Sequence, residues 1–349
     1  MKPFFSIIIP CCEVGPYIRE AMDSVMKQSF GDWECICGIE ESKDRTEEIL
    51  REIAASEPRI RLFTHPCSGS ASVTRNISID MAQGEYVIFL DGDDALIDGS
   101  LQRLYDKIIA RPGADLYPCA IQVKNEMTGK EEKIRDNYPQ DFDGELTGPD
   151  AALFIYGRNL FIEPMMQLTI CRRQFLLEQD LKCIPGLKGQ DGEFSPRALY
   201  LAKRVIPLHE PFYLYRVRSG SIVTSTPPEK TLHHQAIVRK SLFAFHASVC
   251  KAPGFDKRLT VYWGRSWTSW MFFCWFDPNR VKRISRNDRL ATLSLVFSDG
   301  FDDFKLLLRG ASLPRRVACW WMRAFVRRPS LRYAAEQFFR WYFFFSSKG

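Results

Sequence analysis

Three carboxylates stand almost side by side where Tyr86 to Leu90, an apolar, aromatic-rich run of strand length, ends in Asp91-Gly92-Asp93-Asp94. Carboxylates packed this closely repel one another. A hard divalent cation that also bridges to phosphate oxygens relieves the repulsion. At the carboxyl end of a buried strand in an open α/β sheet, such acids point into the crevice where these sheets bind ligands. The stretch therefore reads as a metal–diphosphate site, with a solvated acidic turn as the plain alternative. Other acidic motifs fit less well. A calcium EF-hand wants a helix before its loop and Glu at loop position twelve; here a strand precedes, and Gln102 stands at that position. A phosphatase of the Asp-x-Asp-x-Thr type needs Thr where Ala95 sits.

The elements that must hold these acids alternate between strand and helix patterns. Strands are expected at 4–10, 33–40, 60–65 and 86–90, and helices at 17–28, 44–55, 71–82 and 101–110. Asp44 is placed as the N-cap of the second helix, with Glu47 three residues on completing a capping box. Repeated β-α units argue for a sheet with helices on both faces. After residue 112 the regularity loosens. A strand is expected at 115–123, a polar hairpin or surface excursion at 124–143, a short helix at 151–156, a helix at 189–202 that opens with Asp191, and a strand at 205–216. Thr226-Pro227-Pro228 is the best linker. Beyond it 233–248, 259–276, 288–297, 315–327 and 331–345 read as mainly helical. The expected domains are thus 1–225 and 226–349.

Charge divides along the same line. Residues 1–225 carry 26 Lys+Arg against 34 Asp+Glu, and residues 226–349 carry 22 against 8, so a net +6 hides an acidic domain followed by a basic tail. Eleven cysteines include no Cys-x-x-Cys pair, and the five histidines do not cluster with them. Zinc is not expected, and the odd count points to a reducing compartment. Met1-Lys2-Pro3-Phe4-Phe5 runs straight into a strand with no leader pattern. No stretch reaches about 18 uninterrupted apolar residues, so no ordinary spanning helix is expected.

The acids at 91–94 sit in a longer ordered pattern: Pro10 ending the first strand, Ile39-Glu40-Glu41-Ser42-Lys43-Asp44 after the second, Thr74-Arg75-Asn76 in the third helix, Gln190-Asp191-Gly192-Glu193, then Tyr215-Arg216-Val217-Arg218-Ser219. Over roughly residues 4–225 this order resembles the bacterial family 2 glycosyltransferases. The resemblance implies an α/β, Rossmann-like GT-A fold, a mixed sheet flanked by helices. It also implies a nucleotide-sugar donor, with Mn2+ or Mg2+ as cofactor. In those terms Asp93 holds the cation and Asp91 assists through metal or ribose. Gly92 lets the backbone approach the ligand, and Asp94 either supports the metal shell or caps the next turn. Glu40 reads the uracil ring, although the family usually shows Asp-Asp-Gly-Ser there. Pro10 is retained from the family's Pro-x-Tyr-Asn, while Cys12 and Glu13 depart from it. Asp44 lies near the nucleotide, and Arg75 near the diphosphate or paired with Asp91 or Asp94. Asp191 is the catalytic base that takes a proton from the acceptor hydroxyl, with Glu193 as its rival. Arg216 and Arg218 clamp phosphate.

The expected reading is an inverting transfer of a hexose or N-acetylhexosamine from a UDP-sugar to a glycan or lipid-linked glycan acceptor in bacterial surface polysaccharide synthesis. A nucleotidyltransferase would want a Gly-rich basic loop after the first strand, which 10–17 lacks. A non-catalytic scaffold with a degenerate site is the alternative left open by Cys12, Glu13, Glu40 and Gln190. In the tail, Arg315, Arg316, Arg323, Arg327, Arg328, Arg332 and Arg340 interleave with Trp320, Trp321, Phe325, Phe338, Phe339, Trp341 and Phe343. Basic and aromatic residues at helical spacing suit an anionic headgroup layer, or else pack these helices onto the catalytic domain. The expected location is cytoplasmic, peripheral at the inner membrane. No nucleic-acid recognition module is apparent.

Overall fold

The computed structural model describes residues 2–126, 130–157, 165–218, 227–263 and 283–297. It divides into two compact units, Met1–Ser225 and Thr226–Gly349.

In the first unit, uninterrupted apolar runs become strands covered on both faces. β1 (Phe5–Cys11), β2 (Trp33–Glu40), β3 (Ile60–His65) and β4 (Tyr86–Phe89) are parallel, with Phe5 in register with both Trp33 and Tyr86. Buried parallel strands read as runs rather than alternations for this reason. Side-chain alternation then sorts the two cores. Ile7 and Ile9 pack on one face with Ile18 and Met22 of α1 (Gly15–Met26) and Leu101 and Leu104 of α4 (Ser100–Ala110). Ile8, Val87 and Phe89 pack on the other with Ile79 of α3 (Ser72–Met81). α2 (Thr46–Ser56) buries Leu50 and Ile53 beside α1.

The chain then turns back. The run expected as one strand at 115–123 breaks at Cys119 into β6 (Leu116–Pro118) and β7 (Ala120–Asn125), which serve different sheets. β5 (Ala95–Leu96), β8 (Lys130–Arg135), β9 (Thr169–Arg172) and β10 (Pro211–Val217) are the other strands among the described residues. One sheet has six strands in the order β3-β2-β1-β4-β9-β6, with β9 antiparallel to both neighbours, so it is mixed. The other runs β5-β10-β7-β8, and its β7–β8 hairpin is the polar excursion. The helices of this half are α5 (Gly148–Gly157), α6 (Arg173–Glu178) and α7 (Asp191–Leu201). β9 and α6 have no counterpart in the expectations from sequence, because their residues carry no clear period.

The capping box at α2 does not form. Glu47 turns to Arg51, while Asp44 Oδ1 accepts the N–H and hydroxyl of Thr46 at 3.1 and 2.6 Å and Oδ2 accepts the N–H of Gly15 at 2.7 Å. One carboxylate thereby ties together the starts of α1 and α2. Burial opposes its ionisation, but these bonds outweigh that and hold its pKa below the ordinary value.

In the second unit α8 (Pro228–Val249) and α9 (Arg286–Phe297) pack together. His246 stacks flat on Trp263 at 3.7 Å between ring centres, and burial pushes its pKa down to about 3, so it is neutral. Among the described residues no helix is long and apolar enough to cross a membrane. The basic and aromatic residues of 315–345 lie outside the described residues.

Candidate active site

The site begins with a close approach. A Cβ at Gly38 of β2 would fall 2.2 Å from Thr74 Cγ2 and 2.5 Å from Phe63 Cζ, so only glycine lets α3 lie this near the strand. The next helix residue is Arg75, whose side chain is 2% exposed. Its Nη2 donates to Asp91 Oδ1 at 2.6 Å and its Nη1 to Asp191 Oδ1 at 3.3 Å. Asp91 follows β4, and Asp191 opens α7 a hundred residues later. Their side chains remain 29% and 25% exposed, so each reaches solvent while leaning on a buried cation. Burial alone would favour a neutral Arg75, but the two carboxylates outweigh it and raise its pKa. Burial pushes the Asp191 carboxyl up to about 6, against the pull of Arg75, and the charge of Asp91 adds to the rise. Glu193, the rival base, is buried and ion-paired to Arg197 at 2.6 Å.

Asp91 is held from three directions. Besides Arg75, Gln167 Nε2 donates to its Oδ2 at 2.6 Å, and its own N–H donates to the Tyr213 hydroxyl at 3.2 Å. Gln167 lies in a 3-10 turn, Met166–Leu168, whose Met166 also gives a backbone hydrogen bond to Asp191 and its sulfur to Arg75. Asp94 turns to β10 rather than to the turn that follows it. It is buried, accepting from the Tyr213 hydroxyl at 2.5 Å and the Arg216 N–H at 2.7 Å, and so fastens the acidic loop to β10.

Asp93, like Asp91, is only partly buried. Burial, then the nearby charge of Asp91, raises its pKa even though Arg218 opposes the rise. Burial and Asp91 thus disfavour its charged form, a cost that a bound cation would relieve. Among the described residues no group of three or more His, Cys, Asp or Glu forms a metal cage. Two hard carboxylates, Asp93 and Asp91, nonetheless fit Mg2+ or Mn2+, which bind through one or two carboxylates with substrate phosphates and water completing the shell. The arginines of β10 differ from one another. Arg216, expected at phosphate, is instead spent inside the protein: on Glu20 at 2.7 Å, on Glu126, and on the Asp93 carbonyl at 2.9 Å. Arg218 sits on the Asp93 carboxylate.

Around the strand ends, a cleft of about 540 Å³ is lined by Cys12, Glu13, Glu41, Ser42, Lys43 and Cys67. Glu40 lies buried behind this wall, accepting from the Ser68 hydroxyl and from the Cys67 thiol at 3.7 Å. Burial and the charge of Glu40 push the Cys12 thiol up to about 12. At Gly92 an added Cβ would meet Val14 Cγ2 at 3.1 Å and the Pro10 carbonyl at 3.3 Å, so the protein's own packing is already tight there. Pro10 therefore backs the acidic turn. Sequence reasoning missed Gln167 and Tyr213, and nothing in their local pattern marks them. It quoted Asn76 without a role. Asn76 donates to the Cys183 carbonyl and accepts the Cys183 N–H, both at 2.8 Å, locking the segment that leads to α7.

Comparison with known proteins agrees with this geometry. Residues 6–165 match the model of the family described as glycosyl transferase family 2. The chain is 28% identical over 269 residues to the uncharacterized glycosyltransferase EpsJ of Bacillus subtilis, covering 75% of each. It is 34% identical over 110 residues to the putative teichuronic acid biosynthesis glycosyltransferase TuaG of the same organism, covering 32% of this chain and 44% of that one. In fold it is similar to S. aureus TarS solved in complex with UDP-GlcNAc, with a TM-score of 0.67 at 18% identity over 87% of this chain and 81% of the other. The mixed sheet flanked by helices is the GT-A fold, and residues 6–165 within it are the part that matches the family 2 glycosyltransferases.

Proposed function

We propose that the chain transfers a hexose or N-acetylhexosamine from a UDP-sugar to a glycan or lipid-linked glycan acceptor, with inversion, in bacterial surface polysaccharide synthesis. One observation carries this reading: Arg75 joins Asp191 to Asp91, setting a candidate base and a candidate diphosphate-side acid on one buried cation. Asp191, with its pKa near 6, is ionised at neutral pH yet basic enough to take a proton. It removes the acceptor hydroxyl's proton as that oxygen attacks C1. The C1–O bond to the diphosphate breaks on the opposite face, and its electron pair leaves with the UDP. A single displacement of this kind inverts the anomeric centre, through an oxocarbenium-like state. Mn2+ or Mg2+ at Asp93 and Asp91 supplies Lewis-acid neutralisation of the leaving diphosphate when bound.

The cleft beside Glu40 takes the nucleobase, where a carboxylate accepts the uracil ring N–H. UDP-GlcNAc in the TarS complex supports a UDP donor, and the name of TuaG supports a surface polymer as product. The basic, aromatic tail then serves contact with an anionic membrane at the cytoplasmic face.

The test is to screen UDP-sugars for transfer with wild type and Asp191→Asn, and to titrate both with UDP and Mn2+ by calorimetry. Turnover should fall by about 10^3-fold while UDP affinity holds. Equal turnover in the variant would remove Asp191 as the base. A wild type that binds UDP but transfers no sugar would mark a binding protein.

A further inference from the structure

Asp93 is the acid best placed to hold a divalent cation, yet a cation of the protein's own already sits on it. Arg218 donates to Asp93 Oδ2 from both Nε at 2.9 Å and Nη2 at 2.7 Å. Beneath the guanidinium lies the ring of Tyr17, 4.5 Å from its carbon. Arg216, two residues earlier on the same strand, is fixed by Glu20, Glu126 and the Asp93 carbonyl. Arg218 has only Asp93 and the Tyr17 face among the described residues. One arginine is thus built in, and the next is held by a single carboxylate.

Both Arg218 donors fall on Oδ2, and a divalent ion bound to either oxygen of so small a group would lie close enough to the guanidinium for their charges to repel strongly. A planar guanidinium released from a carboxylate is matched in geometry to phosphate oxygens. We propose that Arg218 and the divalent cation are alternative partners of Asp93, so that a cation arriving with the nucleotide takes the carboxylate and Arg218 moves onto the diphosphate. This rests on the glycosyl-transfer reading above. It makes Arg218 a positioning residue with two destinations. Before donor binds, it compensates Asp93. Afterwards it adds a second positive group to the leaving diphosphate. Tyr17 offers the guanidinium a face along which to move, where cation–π attraction persists without fixing a direction.

The experiment measures Mn2+ binding to nucleotide-free protein by electron paramagnetic resonance, then UDP binding at saturating Mn2+ by calorimetry. Wild type, Arg218→Gln, Arg218→Lys and Asp93→Asn are compared, each with a melting curve to show it is folded. Removing the competing guanidinium should tighten Mn2+ binding about tenfold in Arg218→Gln and weaken UDP about tenfold. Arg218→Lys should fall between that variant and wild type in both measurements, and Asp93→Asn should lose the Mn2+ site. Unchanged or weaker Mn2+ binding in Arg218→Gln overturns the exchange. If no form binds Mn2+ yet wild type transfers sugar in the presence of a chelator, the exchange is overturned while the transferase reading stands. If Mn2+ behaves as expected but no sugar is transferred, the exchange holds and the transferase reading fails.

Discussion

Residues 5–110 and residues 112–217 build one site by different rules. The first stretch is a repeat of parallel strands and covering helices, and each candidate group it delivers stands at or just after a strand end, or in or just before the first turn of a helix: Glu40, Asp44, Arg75, Asp91 and Asp93. The second stretch returns against that frame through an antiparallel strand, β9, and a second sheet. It supplies what the acids lean on, Gln167, Tyr213, Arg216 and Arg218, and the second carboxylate on Arg75, Asp191. The difference teaches that the frame presents charge and the return sets what each charge can do. Asp91, Asp93 and Asp94 are near neighbours in sequence. They end with three unlike fates, because Gln167, Arg218 and Tyr213 arrive from elsewhere.

The strongest way to break this division is to remove the residue of the frame that joins Asp91 to Asp191 of the return. Arg75→Met should cut turnover by about 10^3-fold or more, since it uncouples Asp191 from Asp91. It should also destabilise the fold by on the order of 3 kcal/mol, because two partly buried carboxylates lose their shared cation. Denaturant unfolding alongside steady-state transfer reads both. A loss of activity with no loss of stability would mean that the bridge is not what holds the two acids together.

A smaller change sharpens the same contrast. Gln167→Leu removes the donor to Asp91 Oδ2, but it also removes Oε1, a buried acceptor without a hydrogen-bond partner among the described residues. The lost bond and the relieved carbonyl should offset one another in stability. Turnover should nonetheless fall about tenfold, because Asp91 keeps Arg75 on one oxygen and loses its orientation on the other. A melting temperature that drops with the activity would make Gln167 a packing residue instead.

How much was legible in the sequence follows from the same division. β2 and β3 fall on the expected residues, and the other parallel strands within one or two, because an apolar run with a turn at each end marks its own limits. The acidic turn was legible because repulsion among close carboxylates is a local fact. The β6–β7 break at Cys119 was not, since one continuous run serves two sheets and only the tertiary partners decide where it splits. Arg216 and Arg218 look alike in sequence, and their different fates depend on Glu20, Glu126 and Asp93, far away in the chain. Gln167 and Tyr213 were unreadable for the same reason: they act through long-range hydrogen bonds that leave no periodic trace.

The smallest expected effect tests Asp191 through stability rather than rate. Its carboxyl is raised from an ordinary value of 3.8 to about 6, so the folded chain holds that proton more tightly than the unfolded chain does. Below about pH 4 both states are protonated and the group costs nothing. As pH rises from about 4 to about 6 the unfolded chain ionises first and stability falls; above 6 the folded state carries the ion it disfavours and the loss is complete. Asp191→Asn should therefore melt a few degrees higher than wild type at pH 7.5, on the order of 1 kcal/mol after allowance for its partial exposure, and equally at pH 4. The wild-type rate per substrate concentration should rise with pH through the same inflection near 6. If the variant instead melts lower at pH 7.5, then attraction to Arg75 exceeds the cost of burial and Asp191 belongs with the stabilising ion pairs. A gain there, set against the loss expected for Arg75→Met, would show that the two ends of one 3.3 Å contact pull stability in opposite directions. That is the pattern of a carboxylate kept for proton transfer at some expense to the fold.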